Sequence, residues 1–482
     1  MDRLSPLDAS FLYLESAQTP MHISSLAVYE GPPPPDRDLH TMLERRLPLV
    51  PRFRQRLATV PLGLHRPAWI DDETFDLDAH LQHVALFEPS EEALHQLAGR
   101  ILSQPLCRTR PLWEMWLITG LHRDRFAILS KTHHSLWDGI SGIDLHAVLL
   151  DDSPEGRPDE APEEAEERFQ PKPEPSGFGM LFGAARDRLR EAVTTARSLG
   201  DAARDPAKAV RTVDRFARDA TSFASSFLKR APECELNEPI GSRRRYAVAR
   251  ASLDEVKDLR YTLGVSVNDV ILTAVAGGIR HWQLRRGADP QDVKVMVPVS
   301  IRNPDDGLGN RVAMVVVDLP VADRTALMRL DRVHTAMETA KRSGSVAAGE
   351  AITNLSGFLP PAGIAAMSRA QAIVRPFNLV VTNIPGPPMP LYLLGRRLVE
   401  LFPQAPLATN QGVSVAALSY DGKIGFGVLG DHDTMSDLDV LASGIEGSLD
   451  DLLWAGGLDT ITPAEPSLSR LAGFAGAHAG VT

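Results

Sequence analysis

The sequence predicts a mixed α/β (α+β) protein built from two domains. Its 482 residues exceed the usual length of a single domain. Runs rich in β-branched residues alternate with segments of helical spacing, both before residue 150 and after residue 240. The composition changes abruptly between these regions, which is typical of a linker. We therefore predict an N-terminal domain over 1–150, a connector over 151–239, a C-terminal domain over 240–455 and a flexible tail over 456–482.

The first domain alternates predicted strands and helices and ends shortly after two adjacent histidines. The run 22–31 predicts a strand, because Gly31 and the prolines behind it stop the pattern. Apolar residues at helical spacing predict helices over 39–47 and 91–106. The segment "FAILSKT" predicts another strand over 126–132, and a helix is expected after it over 139–152.

The connector has an acidic part followed by a basic part. Residues 151–170 hold nine acidic residues and three prolines, so we predict an exposed linker that cannot bury enough apolar surface to fold by itself. Residues 177–230 hold eleven basic residues against six acidic ones, and their apolar residues line helical faces. Two basic amphipathic helices of this kind either pack against the domains or lie on an anionic bilayer.

The second domain repeats the mixture of strands and helices. Ser252 and Gly264 bracket a predicted helix as its N-cap and its C-terminal glycine. A long apolar helix over 267–287 is expected to begin at Asn268, a residue type that is favoured at N-caps. The remaining predicted elements are strands over 244–253, 293–302, 312–321, 377–387 and 413–431, the last with a turn at Asp421-Gly422, and helices over 324–342 and 437–454.

Charge and cysteine content exclude several classes of function. The formal net charge of −11 and the pI near 5.7 argue against a nucleic-acid partner. Two cysteines, Cys107 and Cys234, are too few for a disulfide framework and fit a reducing compartment. No run of 18 apolar residues predicts a membrane-spanning helix. We expect a cytoplasmic protein whose contact with lipid, if any, is peripheral.

The segment "KTHHSLWDGISG" (131–142) allows three interpretations. Adjacent histidines at the end of a strand point to opposite faces, which makes it difficult for both to bind one metal ion, and we predict no metal site. In the second interpretation, His133 and His134 merely finish a strand, one buried and one solvated. In the third, a neutral imidazole acts as a general base, since its ordinary pKa lies near neutrality. The spacing to Asp138 and Gly139 favours the third.

This segment resembles the HHxxxDG motif of the CoA-dependent acyltransferase superfamily. Other segments are similar to the bacterial wax ester synthase/acyl-CoA:diacylglycerol acyltransferase (WS/DGAT) family. They are the opening "LSPLDASFLYLESAQTPMHI" (4–23), the PLW segment (110–121), the ND segment (267–287) with "MVPVSIR" behind it, and the late segments 382–395 and 418–431. The resemblance thus extends from residue 4 to about residue 454 and leaves out only the connector and the tail.

The resemblance implies two chloramphenicol-acetyltransferase-like domains with the active-site tunnel at their interface. It implies transfer of a long-chain acyl group from acyl-CoA to diacylglycerol or a fatty alcohol, with acyl-CoA as a co-substrate and no cofactor. His134 would be the general base and His133 its support. Asp138 would brace the loop, with Arg302 as its suggested partner, and Gly139, which has no side chain, would leave room for the substrate. A peripheral contact with an anionic membrane or a lipid droplet would fit such substrates.

Further residues within the similar segments are candidates for substrate-binding or supporting roles. Asn268 and Thr382 could donate a hydrogen bond to the developing oxyanion, although Thr382 stands where the family leads us to expect serine. Capping alone could also explain Asn268 and its neighbour Asp269. The other candidates are Trp137, which could line the acyl path, and Pro111, Leu112 and Trp113, for which a place in the core is the simpler explanation.

Two other functions stay open at this level. A non-catalytic acyl-CoA or lipid-binding protein could retain the fold, although the complete histidine motif argues against it. A condensation-type enzyme that joins acyl groups held on carrier proteins shares the histidine motif, but the PLW and ND segments favour the lipid acyltransferase.

Overall fold

The computed structural model describes residues 2–61, 65–137, 149–156, 230–300, 312–342 and 374–458, together with residues 172, 179, 182, 183, 186, 187 and 363. Asp138, Gly139 and Arg302 lie outside these residues, and so do most of the helix predicted over 139–152, the acidic segment 157–170 and the tail from residue 459. Most of the predicted basic helices over 177–230 also lie outside them.

Helices and strands alternate through both halves of the chain. The helices are α1 (Pro6–Leu14), α2 (Asp36–Arg46), α3 (Glu91–Leu102), α4 (Leu253–Leu263), α5 (Val267–Arg285), α6 (Ala326–Arg342) and α7 (Leu438–Ala455). The first strands are β1 (Asp2–Arg3), β2 (His22–Glu30), β3 (Gln55–Ala58), β4 (Ala68–Asp71), β5 (Leu81–Ala85), β6 (Trp113–Leu121) and β7 (Arg125–His133). The later strands are β8 (Arg244–Ser252), β9 (Val293–Ser300), β10 (Val312–Leu319), β11 (Leu379–Pro385), β12 (Tyr392–Leu393), β13 (Arg396–Gln404), β14 (Val413–Tyr420) and β15 (Lys423–Asp431).

Two six-stranded mixed sheets form the centres of the two domains. The first has the order β12-β13-β2-β7-β6-β5, and the second has the order β10-β9-β11-β14-β15-β8. A small sheet, β1-β4-β3, lies beside the first. In the first sheet β7 lies between β2 and β6 and is antiparallel to both. The mixed α/β class and the two-domain architecture predicted from the sequence are confirmed.

Local sequence signals in the second domain predict the ends of α4 and one turn correctly, but they misplace the start of α5. The Ser252 side chain caps α4 and Gly264 ends it in the left-handed region, with φ of 69°. Asp421 and Gly422 form the predicted turn between β14 and β15, both with positive φ. The prediction that Asn268 caps α5 is wrong, because the N-cap is Ser266, whose side chain accepts a hydrogen bond from the backbone N–H of Asp269.

Strand β13 belongs to the first sheet although it comes from the C-terminal half of the chain. It pairs antiparallel with β2 from Leu398 to Gln404, and its neighbour β12 extends the same edge. The order of segments along the chain does not reveal that β13 joins the first sheet, because the periodicity of a strand carries no information about which sheet it joins. The range 240–455 that we predicted for the second domain therefore contains two strands of the first.

The seam between the sheets depends on close backbone approach. A Cβ atom on Gly427 of β15 would lie 1.7 Å from the Pro403 carbonyl oxygen of β13 and 2.6 Å from the Tyr246 hydroxyl. That buried hydroxyl donates to the Phe402 and Pro403 carbonyls over 3.3 and 3.2 Å. Only glycine leaves room for β15 and β13 to approach this closely, so the position of β13 against the second sheet depends on Gly427.

Among the described residues no single helix has the length and apolar character to cross a membrane. Helices α4 and α5 satisfy both criteria only when taken together, across a bend of 106°.

We predict that Gly427→Ala lowers the free energy of unfolding by about 3 kcal/mol, because overpacking of this size forces the backbone apart. The measurement is urea-induced unfolding followed by fluorescence. Gly447→Ala is the matched control, since Gly447 lies exposed on α7 with no atom within 4 Å of the added Cβ. That variant should gain up to about 1 kcal/mol through helix propensity. Equal effects of the two substitutions would contradict the prediction.

Candidate active site

Strand β7 delivers the two histidines to the end of the first sheet. His133 is its last residue and lies opposite His22 of β2, and His134 begins a 3₁₀ turn that extends to Trp137. The His133 N–H donates to the Leu112 carbonyl over 2.9 Å, and the His134 N–H donates to the Met21 carbonyl over 2.8 Å. The Leu112 and Met21 carbonyls therefore fix the backbone of the two histidines from the two neighbouring chain segments.

The His134 imidazole is stacked and partly buried. Its ring lies against the Phe11 ring of α1, with centroids 3.7 Å apart and planes inclined by 17°. Burial lowers the pKa of His134 to about 4, although a hydrogen bond with its own backbone carbonyl acts in the opposite direction, and nearby His133 lowers the pKa further. His134 is consequently a neutral imidazole at neutral pH, which is the state that a general base requires.

His133 is oriented by different partners. Its Nδ1 accepts a hydrogen bond from the Ser135 backbone N–H over 3.1 Å and lies 2.6 Å from the Ser135 hydroxyl. Because Nδ1 accepts this hydrogen bond, the ring proton of His133 lies on Nε2. That nitrogen faces the Glu15 carboxylate at 3.6 Å, which is close enough for electrostatic attraction and too long for a good hydrogen bond.

Glu15 stays ionised beside this histidine. Burial alone would raise its pKa, but the neighbouring His133 and the Arg108 guanidinium outweigh burial and lower the pKa to about 2. Arg108 donates to Glu15 through Nε over 2.9 Å and through Nη2 over 2.5 Å. Glu15 was not among the residues predicted from the sequence, although it lies within the opening segment that carries the family resemblance.

Buried polar groups lie further along the same strands. The Lys131 side chain is fully buried, and its ammonium group donates to the Gln104 carbonyl over 2.8 Å and lies 3.1 Å from the Glu114 carboxylate. His22 is also buried, and its pKa lies well below the ordinary value because of burial and the nearby Lys131. Lys131 was not predicted from the sequence either, although a lysine within the apolar run "FAILSKT" indicates a buried cation that needs partners.

The PLW residues belong to the core of the first domain. Leu112 and Trp113 have no exposed surface, and the Trp113 indole N–H donates to the Phe53 carbonyl over 2.8 Å. Pro111 is buried next to them. The link from this segment to the histidines is the Leu112 carbonyl, which accepts from the His133 N–H. A role in the core with an indirect effect on the site thus accounts for all three residues.

The candidates of the second domain lie on separate elements. Asp269 completes a capping box at the start of α5, and its Oδ2 lies 2.9 Å from His334 Nδ1. Asn268 follows the cap within the same turn, and Thr382 lies on β11 opposite Ala416. Within the described residues no hydrogen bond joins His134 to Asn268 or Thr382, so their part in the site stays a prediction.

Three further candidates cannot be placed. Asp138, Gly139 and Arg302 are not among the described residues, and of Trp137 only the backbone position in the 3₁₀ turn is described. In the ranges that the structure describes, no group of three histidine, cysteine or acidic side chains is arranged to bind a metal ion.

A groove of about 2600 Å³ lies where the two domains meet. It is bordered by α3 of the first domain and by β8 and α7 of the second, and residues of β13 contribute to its wall. His134 is not one of the lining residues. The tunnel that the family resemblance implies at the histidines therefore stays a prediction.

Both halves of the chain match known family domains. Residues 4–271 match the wax ester synthase/diacylglycerol acyltransferase catalytic domain, and residues 308–453 match the WS/DGAT C-terminal domain. The chain is 34% identical over 455 residues to a probable diacylglycerol O-acyltransferase, tgs1, of Mycobacterium tuberculosis, with 92% of this chain and 94% of the relative covered. It is 31% identical over 468 residues to tgs2 of the same species, with 95% and 100% covered.

Solved structures agree with these matches. The wax ester synthase/diacylglycerol acyltransferase from Marinobacter aquaeolei superimposes with a TM-score of 0.64 at 26% identity, covering 95% of this chain and all of that one. A condensation domain of the calcium-dependent antibiotic synthetase shares the fold alone, with a TM-score of 0.55 at 17% identity and coverage of 95% and 96%. The resemblance inferred from the sequence is confirmed: the chain belongs to the wax ester synthase/diacylglycerol acyltransferase family and is an acyltransferase.

Proposed function

We propose that the protein transfers a long-chain acyl group from acyl-CoA to the hydroxyl group of diacylglycerol or a long-chain alcohol, with His134 as the general base. The observation that carries this proposal is the state of the His134 ring, which is neutral, stacked on Phe11 and attached to a backbone that Met21 holds. The relatives named as diacylglycerol O-acyltransferases support the choice of substrates.

The proposed reaction needs one base and no covalent enzyme intermediate. The Nε2 atom of His134 takes the proton of the acceptor hydroxyl while the hydroxyl oxygen attacks the thioester carbon. The resulting tetrahedral intermediate expels the CoA thiolate, which recovers the proton from the imidazolium.

The remaining roles stay as the family resemblance implies them. Asp138 would brace the loop with a partner such as Arg302, Gly139 would leave room for the substrate, and Asn268 or Thr382 would donate to the oxyanion. We propose no resident cofactor, because the thioester is already activated and acyl-CoA enters as a substrate.

We further propose a cytoplasmic protein that meets its lipid acceptor at the inner membrane face or at lipid inclusions. The support is the basic character of residues 177–230 and the low water solubility of the acceptors. One contact supports packing of at least part of this segment against the first domain, since Arg3 Nε donates to Asp187 over 2.7 Å. Its remaining basic residues stay candidates for the lipid contact.

We predict that His134→Ala lowers kcat by about 10³-fold, the usual contribution of a general base. The assay measures CoA release from palmitoyl-CoA with hexadecanol and with diacylglycerol, side by side. His83→Ala, which removes an exposed histidine of β5, is the control and should keep its activity. Near-normal turnover by His134→Ala would overturn the assignment of the base. Saturable acyl-CoA binding by the wild-type protein without CoA release would instead support a non-catalytic binding protein, and turnover only with carrier-bound acyl groups would support a condensation-type enzyme.

We predict that protonation of His134 lowers kcat/KM at acidic pH with a midpoint near pH 4 and not near 6.5, because the pKa of His134 is lowered to about 4 in the folded protein. We call this fall the acid limb of the profile. The unfolded chain binds this proton near 6.5 and the folded protein near 4. The stability contributed by neutral His134 therefore falls as the pH is lowered through this window. Thermal unfolding measured at each pH distinguishes unfolding of the protein from protonation of His134. A limb near pH 6.5 in folded protein would contradict the prediction.

We predict that neutralising Arg204, Lys208, Arg211 and Arg215 with glutamine weakens flotation of the protein with liposomes containing phosphatidylglycerol. Each basic residue near an anionic surface contributes about 1 kcal/mol, so the loss should be large at low salt and small on neutral liposomes. Replacing Arg45, Arg123, Arg285 and Lys423, which belong to the two domains, is the control. Unchanged flotation of the connector variant would contradict a membrane contact at these residues.

A further inference from the structure

Helix α1 contacts both histidines through residues one turn apart. Phe11 lies in the last turn of α1, and Glu15 is its C-cap, four positions later, whose N–H donates to the Phe11 carbonyl, so the two side chains leave the same side of the helix end. The Phe11 ring stacks on His134 at 3.7 Å, and the Glu15 carboxylate faces His133 Nε2 at 3.6 Å. The adjacent histidines thus have separate partners on a single element.

This helix is well anchored at both ends. Ser5 caps its N-terminus by accepting from the Asp8 N–H over 3.2 Å, and Pro6 occupies the first helical position. At the other end Arg108 donates to the Leu12 carbonyl over 3.0 Å with the same Nη2 atom that binds Glu15. Arg108 therefore ties the last turn of α1 to the carboxylate, which limits the motion of Phe11 and Glu15.

The Glu15 carboxylate also reaches the backbone of His134. Its Oε1 accepts from the Met21 N–H over 3.3 Å, and the Met21 carbonyl accepts from the His134 N–H over 2.8 Å. The turn between Glu15 and Met21 is held from the second domain, because the buried Arg244 guanidinium donates to the Gln18 carbonyl. Glu15 thus has two routes to the catalytic histidine, one through the His133 ring and one through Met21.

We propose that α1 acts as a two-point clamp on the histidine pair, in which Phe11 and Glu15 are positioning residues for the base. Phe11 sets the ring plane of His134 and shields one face from water. Glu15 sets the orientation of His133 and the backbone of His134. The proposal rests on the proposed role of His134 as the base, and goes beyond it by assigning two residues of the opening helix to that role.

The charged surroundings fit this assignment. Among the described residues, His133 and Arg108 lower the pKa of Glu15, and Lys131, His133 and Arg244 lower the pKa of His22, whereas Glu15 raises it. Glu15 faces His133 as a carboxylate, whereas Lys131, Arg108 and Arg244 are cations. Without Glu15, His133 would lose the carboxylate that faces its Nε2–H.

The first test is a double-mutant cycle between Glu15 and His133. We expect Glu15→Ala to lower kcat by about 10²-fold through misplacement of the base, with the KM for acyl-CoA changed by no more than about twofold. Glu15→Gln keeps an oxygen for Met21 and should recover part of the loss. In a His133→Asn background, Glu15→Ala should lose much of its effect, because the route through the ring is already broken. Glu44→Ala, an exposed glutamate of α2, is the control.

The second test uses the pH profile of Phe11 variants. Phe11→Ala should move the acid limb of kcat/KM upward from about pH 4 towards 6.5, because water reaches the imidazole, whereas Phe11→Tyr should keep the wild-type profile. Leu7→Ala, on an exposed position of the same helix, is the control for general damage to α1.

The outcomes separate the clamp from the proposed function. If His134→Ala keeps its turnover, the function of His134 fails and the clamp with it. If His134→Ala is inactive while folded Glu15→Ala and Phe11→Ala keep wild-type kcat and pH profile, the clamp alone is overturned. If the losses in kcat caused by the Glu15 and His133 substitutions are additive, the route through the His133 ring is overturned. If the losses in kcat of the Glu15 and Phe11 variants only follow their melting temperatures, α1 has a structural role alone.

Discussion

The pairing register between β2 and β7 is the constraint on which the rest of the site depends. It places His133 opposite His22 and leaves His134 just beyond the last ladder position, where its N–H meets the Met21 carbonyl. A slip by one residue would exchange the faces of the two histidines, because successive side chains of a strand alternate. The stacking of His134 on Phe11 and the position of His133 opposite the Glu15 carboxylate are therefore consequences of a single hydrogen-bond register.

The sheet that holds this register is completed from the far end of the chain. Strand β13 covers the free edge of β2, and its carbonyls at Phe402 and Pro403 accept from Tyr246 of the second domain. Arg244 leaves the same strand, β8, and reaches the Gln18 carbonyl of the turn before β2. The second domain thus supports the histidines in two ways, through the edge of their sheet and through the turn that precedes it. This dependence gives a physical reason for keeping both domains on one chain.

Burial has opposite consequences for the ionisable groups around the site. His134 and His22 have few compensating partners, so desolvation keeps them neutral. Glu15 stays charged because His133 and the Arg108 guanidinium outweigh burial, whereas burial lowers the pKa of Lys131 although the Glu114 carboxylate opposes this shift. The proposed base is therefore neutral and lies beside a fixed carboxylate, which suits the proposed attack on a thioester.

The sequence by itself determined the mixed α/β fold class with two domains, which depends on local periodicity and turn chemistry, and its motif segments carried the family resemblance. It also predicted the caps of α4 and the turn at Asp421-Gly422, where local backbone conformation follows from residue type. Tertiary structure alone decided that β13 joins the first sheet, that Ser266 and not Asn268 caps α5, and that Phe11 and Glu15 contact the histidine pair. The first and last of these are contacts between residues far apart in the chain, and no local pattern specifies which distant segment will fill a sheet edge or meet a side chain.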